Sequence, residues 1–356
     1  MTRDYDALAL FSGGLDSILA MKTVISQGLR VLGLHFCSPF FGHPGKIAHW
    51  QEVYDLEIQP VNIHQQFIAM LRSGPRHGFG KVLNPCVDCK ILMFSTARAM
   101  LAQYGAKFII SGEVLAQRPM SQRRDALNLI SNQAQVQDLL LRPLSARRLG
   151  PTLMEEKGLV DRSRLHGFAG RGRKDQLRLA EAFGLKEIPT PAGGCLLAEK
   201  ESAKRFWPVL TRLSDPDAQD FALSNVGRQY WHGAHWLVVG RNRCDNETLK
   251  GLAQPGDLLF KAVDVQGPLA LGRQKPGAGR PGADWSGADW NDAVVRQAAA
   301  FVAGFSEKYS PADAVIHVRV EPAGQLAGQL AVREQILACP PQMRTAGSEK
   351  FLIADF

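Results

Sequence analysis

Ser12-Gly13-Gly14-Leu15-Asp16-Ser17 follows the short apolar run Ala7 to Phe11 and opens a stretch with helical spacing, Leu15 to Ile25. A turn from strand to helix gathers backbone N–H groups and the positive end of the helix dipole at one point, an anion site before any side chain is counted. Gly13 and Gly14 let the backbone close on a pyrophosphate, Ser12 and Ser17 offer hydroxyl donors, and Asp16 can hold a Mg2+ ion bridging the phosphates. No lysine follows the glycines, so this is not the Gly-x-x-x-x-Gly-Lys loop, and the spacing is not Gly-x-Gly-x-x-Gly. A lone Gly-Gly would mean no more than a capped turn.

Sulfur forms the second group. Cys86 and Cys89 lie in Asn84-Pro85-Cys86-Val87-Asp88-Cys89-Lys90, just before the helical stretch Ile91 to Leu101. A helix N-terminus is expected to lower their pKa values and favour the thiolate, the form that attacks and binds metal. Cys195 lies in Pro191-Ala192-Gly193-Gly194-Cys195-Leu196-Leu197, where glycines leave a sulfur with little steric cover. A structural zinc would want a fourth ligand, and Cys37, Cys244 and Cys339 carry no mark of being one. Cys37 and Cys339 read as buried free thiols, and His232 and His235 as surface or packing residues.

The whole hexapeptide after a first apolar strand resembles the PP-loop ATP pyrophosphatases, which implies cleavage of ATP to AMP and pyrophosphate. The three cysteines are similar to those of the tRNA-thiolation branch, in which some members carry sulfur as a persulfide and others hold a 4Fe–4S cluster on three cysteines. Ser111-Gly112-Glu113-Val114-Leu115-Ala116-Gln117, Ser121-Gln122 and Leu140-Leu141-Arg142-Pro143-Leu144 resemble segments of the 4-thiouridine synthetases. The passage Asn84 to Gly112 resembles the 2-thiouridylases as well, so either carbonyl of uracil stays open. These resemblances span about residues 6 to 200. The nucleotide-binding set they imply, with the loop, is Ser12, Gly13, Gly14, Asp16, Ser17, His35, Gly112 and Gln117. Cys86, Cys89 and Cys195 form the catalytic or metal-binding set beside Asp16.

Alternating apolar strands at Ala7–Phe11, Val31–Phe36, about Leu56–Val61 and Phe108–Ser111, with helices between, predict a doubly wound parallel α/β sheet with its ligand at the carboxyl ends of the strands. From about Pro216 short runs broken by Gly, Pro and Asn (Trp236–Gly240, Asp257–Lys261, Pro268–Gly272) predict a smaller α+β domain, with a helix from Trp290 to Phe305. The expected domains are 1–213 and 214–356. Lys275 to Gly282 reads as a loop, and the Gly-Ala-Asp-Trp pair at Gly282 and Gly287 is too short for an architectural repeat. Val239 to Glu247 with Gly256 to Phe260 looks like the NFACT-R module, a predicted RNA-binding domain, although Lys261 stands where that family has histidine.

A chain of 356 residues with 45% apolar content builds a real core, and six cysteines are too few for a disulfide scaffold. The N-terminal apolar run is too short for a signal or a membrane span, so a cytoplasmic protein without membrane contact is expected. The net charge of +8 favours a polyanion. The tract Arg142 to Arg178, with Arg147, Arg148, Lys157, Arg162, Arg164, Arg171, Arg173 and Lys174, is expected to meet tRNA phosphates. The 4-thiouridine synthetases carry an RNA-binding THUMP region before the catalytic domain, and here the first strand comes almost at once, so the RNA contact is expected elsewhere.

The expected reaction is adenylation of a uridine carbonyl by ATP and displacement of AMP by sulfur. The base is turned out of its stack, and a separate donor supplies sulfide or persulfide. A homodimer is consistent with the resemblance. Two other readings fit parts of the sequence: an AMP-forming ligase or amidotransferase acting on a small substrate, and a non-catalytic RNA-binding protein with structural zinc.

Overall fold

The computed structural model describes residues 4–190, 194–275, 290–306, 314–323, 334–341 and 343–344. It divides into two compact units, Met1–Glu199 and Lys200–Phe356. Lys275 lies within the described residues, whereas most of the expected loop (residues 276–282), the repeat at Gly282 and Gly287, and Pro191 to Gly193 lie outside them.

The first unit runs β1 (Ala7–Leu10), α1 (Leu15–Ile25), β2 (Val31–Cys37), α2 (Ile47–Tyr54), β3 (Glu57–Asn62), α3 (His64–Ser73), α4 (Cys86–Met100), β4 (Phe108–Ser111), α5 (Arg124–Gln133), β5 (Leu140–Leu141), α6 (Leu153–Glu156) and α7 (Lys174–Ala182). Its five strands are parallel in the order β3-β2-β1-β4-β5. Every residue of β1 and β4 is buried, as continuous apolar runs in the middle of a covered parallel sheet must be. β3 is an edge strand with alternating burial, and there Pro60 does not interrupt a central ladder. The order reverses at β1, so the loops after β1 and β4 flank one crevice at the carboxyl edge.

The second unit contains α8 (Lys200–Arg212), α9 (Ala218–Ser224), β6 (Arg228–His232), β7 (His235–Val239), α10 (Arg243–Leu252), β8 (Leu258–Ala262), β9 (Leu269–Gln274), α11 (Asp292–Gly304), β10 (Ile316–Pro322) and β11 (Gln335–Cys339). Six antiparallel strands lie in the order β11-β10-β8-β9-β7-β6. α11 buries its Val- and Ala-rich face on β8, β10 and β11, forming a core with Phe260, Val318, Val320 and Leu337. The dividing point falls before α8, which packs on α9 through Phe206 and Phe221 at a ring separation of 5.9 Å. Arg273 is buried with Asp257 at 2.7 Å and Asp220 at 3.0 Å, and Lys275 closes on Asp220 at 2.6 Å. Removing any one partner leaves a buried charge unmatched, so this network fixes α9 against the sheet. Among the described residues no helix is long and apolar enough to cross a membrane.

Candidate active site

The loop after β1 is braced from within. Ser17 Oγ donates to the Gly14 carbonyl at 2.7 Å and accepts from the Ser12 N–H at 3.3 Å, while Gly14 N–H donates to Ser12 Oγ at 3.3 Å. Gly14 caps α1 without any side-chain bond; the Ser17 N–H turns back to the Gly14 carbonyl at 3.1 Å, which leaves the Leu15 and Asp16 N–H groups for a ligand. Gly13 has φ +77°, and a Cβ there would run into the Trp50 ring. His35 braces the same wall: Nδ1 donates to the Phe11 carbonyl at 3.0 Å, and Nε2 accepts from the His43 N–H at 2.8 Å. With both nitrogens bonded to backbone and burial holding its pKa down, His35 is a neutral support for the loop, with no ring nitrogen left for a nucleotide.

Gly112, at the end of β4, lies against the start of α1. A Cβ there would stand 2.6 Å from the Asp16 carbonyl and 2.7 Å from the Ser17 nitrogen, all backbone atoms that cannot swing aside. Gly112→Ala is therefore expected to cost about 1–3 kcal/mol of stability by overpacking. Thermal melts of the variant and the wild type measure this loss.

Gln117 Nε2 donates to Asp16 Oδ2 at 3.0 Å. The Gln176 side chain, reached from α7, stands beside the same carboxylate. Asp16 Oδ1, Gln117 Oε1 and Gln176 Nε2 are buried with no hydrogen-bond partner. The two oxygens are acceptors of the kind a cation would meet, whereas Gln176 Nε2 is a donor beside the carboxylate and cannot bind one. Burial raises the Asp16 pKa, against the Gln117 bond and the charges of Arg173 and Arg118. Ala116, next to Gln117, holds φ +61°, a costly conformation for a residue with a Cβ, and its N–H donates to Gln122 O at 2.7 Å to close the loop.

Both Cys86 and Cys89 lie in the first turn of α4, and Cys195 comes to them through backbone bonds on its flanks. Leu196 N–H donates to Phe40 O at 2.9 Å, and Leu83 N–H to Leu197 O at 3.0 Å. The sulfurs are close enough to feel one another's charge. Burial pushes Cys195 up to about 12, and burial first, then Cys195 and Cys86, pushes Cys89 higher, with Lys90 opposing. The expected lowering at the helix N-terminus is thus reversed for Cys89: its thiol is enclosed by protein although part of the residue reaches solvent, and desolvation outweighs the dipole. Asn84 Nδ2 donates to Cys86 Sγ at 3.1 Å and approaches Met120 Sδ at 3.6 Å. Met120 belongs to the loop that carries Gln117, so the thiol group and the Asp16 group share one border. Among the described residues no three His, Cys, Asp or Glu side chains are arranged to hold a single metal ion.

Glu113 follows Gly112 and is 2% exposed. Arg142 Nε donates to its Oε2 at 3.0 Å, Lys90 stands 3.8 Å from Oε1, and Arg142 also donates to Ser131 Oγ at 3.0 Å. This changes the reading of the basic tract. Arg142 is buried, Arg147, Arg148 and Arg164 donate to the carbonyls of Ser163, Gly167 and Ser26, and Arg162 holds Glu155 and the carbonyls of Ala146 and Leu149. Arg142 and Arg164 brace distant parts of the unit, and Arg147, Arg148 and Arg162 brace the segment between residues 146 and 167. Arg171 and Lys174 are exposed, and Arg173 is turned toward Asp16. The sequence reading missed Asn84, Lys90, Arg118 and Gln176 as site residues and placed Arg173 only in the basic tract. Only Asn84 and Lys90, which flank the cysteines, had a local signal.

Residues 3–147 match the family described as thiamine biosynthesis protein (ThiI). No curated protein matches the chain. Among solved structures the chain is similar to the C-terminal part of the fibronectin/fibrinogen-binding protein from Streptococcus suis (17% identity, TM-score 0.25, 56% of this chain and 86% of that one). It is similar also to NMN synthetase from Francisella tularensis (16%, 0.26, 53% and 81%). A third likeness is to a predicted subunit of tRNA methyltransferase from Methanocaldococcus jannaschii (10%, 0.28, 38% and 67%). Similarity this slight carries no functional inference.

Proposed function

We propose, from the match of residues 3–147 to the family described as thiamine biosynthesis protein (ThiI) and the resemblance of the opening loop to the PP-loop enzymes, that this chain adenylates a uridine carbonyl of tRNA and replaces its oxygen by sulfur. The observation that carries this reading is the grouping of Cys86, Cys89 and Cys195 beside a loop whose acid, Asp16, keeps a buried oxygen unmatched.

A carbonyl oxygen of uracil is a poor leaving group. The loop N–H groups and Ser12 would bind the phosphates, and Asp16 with Mg2+ would offset the charge that grows on pyrophosphate as the oxygen attacks the α-phosphorus. Arg118 and Arg173 place further positive charge at that end. AMP then becomes the leaving group, and sulfur takes its place at carbon. Cys86, Cys89 and Cys195 fit two carriers. Three thiols whose charges act on one another suit a persulfide on one and attack by another to resolve it. They are also the donor set of a 4Fe–4S cluster, which spreads its ligands wider than a single ion and, when bound, would supply a place for sulfide. Asn84 would hold the Cys86 sulfur in either case.

The uncommitted Arg171 and Lys174 and the second unit, which looks like an RNA-binding module, are proposed to contact the tRNA. In cells lacking the chain, mass spectrometry of tRNA nucleosides is expected to find one thiouridine missing. An unchanged nucleoside profile would remove tRNA as the substrate.

A further inference from the structure

The second unit has an open groove of about 1270 Å³ between α10 and the face of β8 and β10 that α11 leaves uncovered. Six Lys and Arg side chains line it (Arg228, Arg241, Arg243, Lys250, Lys261 and Arg319) against two acids, Asp264 and Glu321. The unit around it is almost neutral, with 18 Lys and Arg and 17 Asp and Glu in residues 200–356. The cations are therefore gathered at the groove rather than spread by a basic composition.

The local structure holds them there. Arg243, Asn246 and Lys250 recur at spacings that put them on one side of α10, and Asn246 Oδ1 accepts from the Leu269 N–H at 3.2 Å, pinning that side to the sheet. Gly240 permits the approach, since a Cβ there would overlap Asn246 Oδ1. On the other wall Lys261 and Arg319 are direct partners across β8 and β10, two like charges on one exposed face. Arg241 is held by Asp245 at 2.7 Å, and Asp264 by His317 at 2.9 Å. Arg243 and Lys261 have no acidic partner among the described residues. The groove exceeds the size of ordinary small-molecule pockets, which reach about 1,000 Å³. Its one aromatic side chain is Phe305, already faced by Arg228 at 5.8 Å, so it offers little for stacking bases.

We propose that this groove holds the sugar-phosphate backbone of the RNA by charge, without reading its bases, and that Arg243 and Lys261 are its free phosphate contacts. The proposal rests on the reading of the chain as an enzyme of RNA, and it concerns binding alone. The test is equilibrium binding of the full chain to two RNAs of unrelated sequence and equal length, one an unmodified tRNA transcript, across about 50–200 mM salt. Arg243→Ala with Lys261→Ala should weaken both RNAs by a similar factor and reduce the salt slope by about one for each phosphate no longer neutralised. Arg243→Lys with Lys261→Arg should keep the slope, and ATP affinity should stay unchanged in both variants.

An unchanged slope in the alanine variant, or no RNA binding by the wild type, overturns the proposal. So does loss confined to one RNA, which would mean base readout, or loss of polyglutamate binding with RNA binding intact, which would mean an acidic protein partner. Absence of thiouridine from the reaction products, with the slope change present, would defeat the proposed reaction and leave the groove standing.

Discussion

Cys89→Ala is expected to lower thiouridine formation by a factor on the order of 10³ or more while Mg·ATP still binds, because residues acting as one unit lose nearly everything when one is removed. The charges of Cys195 and Cys86 both act on Cys89, and we place Cys89 in the working set of either carrier mechanism. Cys244→Ala, at an exposed cysteine of the second unit, should leave the rate untouched. An AMP-forming ligase acting on a small substrate would need none of these thiols. Retention of full AMP release and product formation by the Cys89 variant, measured by single-turnover assay and nucleoside mass spectrometry, would favour that reaction.

Asp16→Asn is expected to reduce turnover by about 10²–10³-fold, the usual loss when a group facing developing charge is removed. It should also make the ligand-free chain more stable. Burial holds the Asp16 pKa above its ordinary value of 3.8. A carboxyl raised in the folded state contributes its stability fully below the unfolded pKa, and that contribution is lost as pH rises through the folded value. At neutral pH the free carboxylate is thus a liability that Mg·ATP relieves. The melting temperature of the apo variant should exceed that of wild type at pH 7, with the difference shrinking as pH falls toward the ordinary carboxylate range. Mg·ATP should raise the melting temperature of wild type far more than that of the variant. Equal apo stability at all pH values would contradict the burial of this acid.

The opening strand, loop and helix were legible in the sequence because each rests on local rules: a continuous apolar run, a pair of glycines, and helical spacing from Leu15. The three cysteines were legible as types, and the sequence offered no measure of their separation. Their meeting depends on backbone bonds between Leu196 and Phe40 and between Leu83 and Leu197, pairs far apart in the chain. Gln176, on α7, comes beside Asp16 by the same kind of closure, and nothing around it in the sequence distinguishes it from other helix residues; Arg173, just before α7, was singled out only as part of the basic tract. Spacing along the chain does not reveal that Arg147, Arg148 and Arg162 bond carbonyls between residues 146 and 167, or that Arg164 reaches the Ser26 carbonyl at the end of α1. In the second unit β7, β8 and β9 carry apolar runs, whereas β10 alternates with exposed polar residues, β11 exposes Ile336 and Ala338, and β6 is polar at Arg228, Gln229 and His232, so none of these three shows a continuous apolar run.

The most direct measurement follows the uridine oxygen itself. With tRNA carrying 18O at the carbonyls of uridine, Mg·ATP and a sulfide source, AMP formed by the full chain should gain one 18O for each thiouridine made. Unlabelled AMP, or thiouridine without matching label in AMP, would mean that the carbonyl oxygen never attacks the α-phosphorus, and adenylation of the base would have to be abandoned.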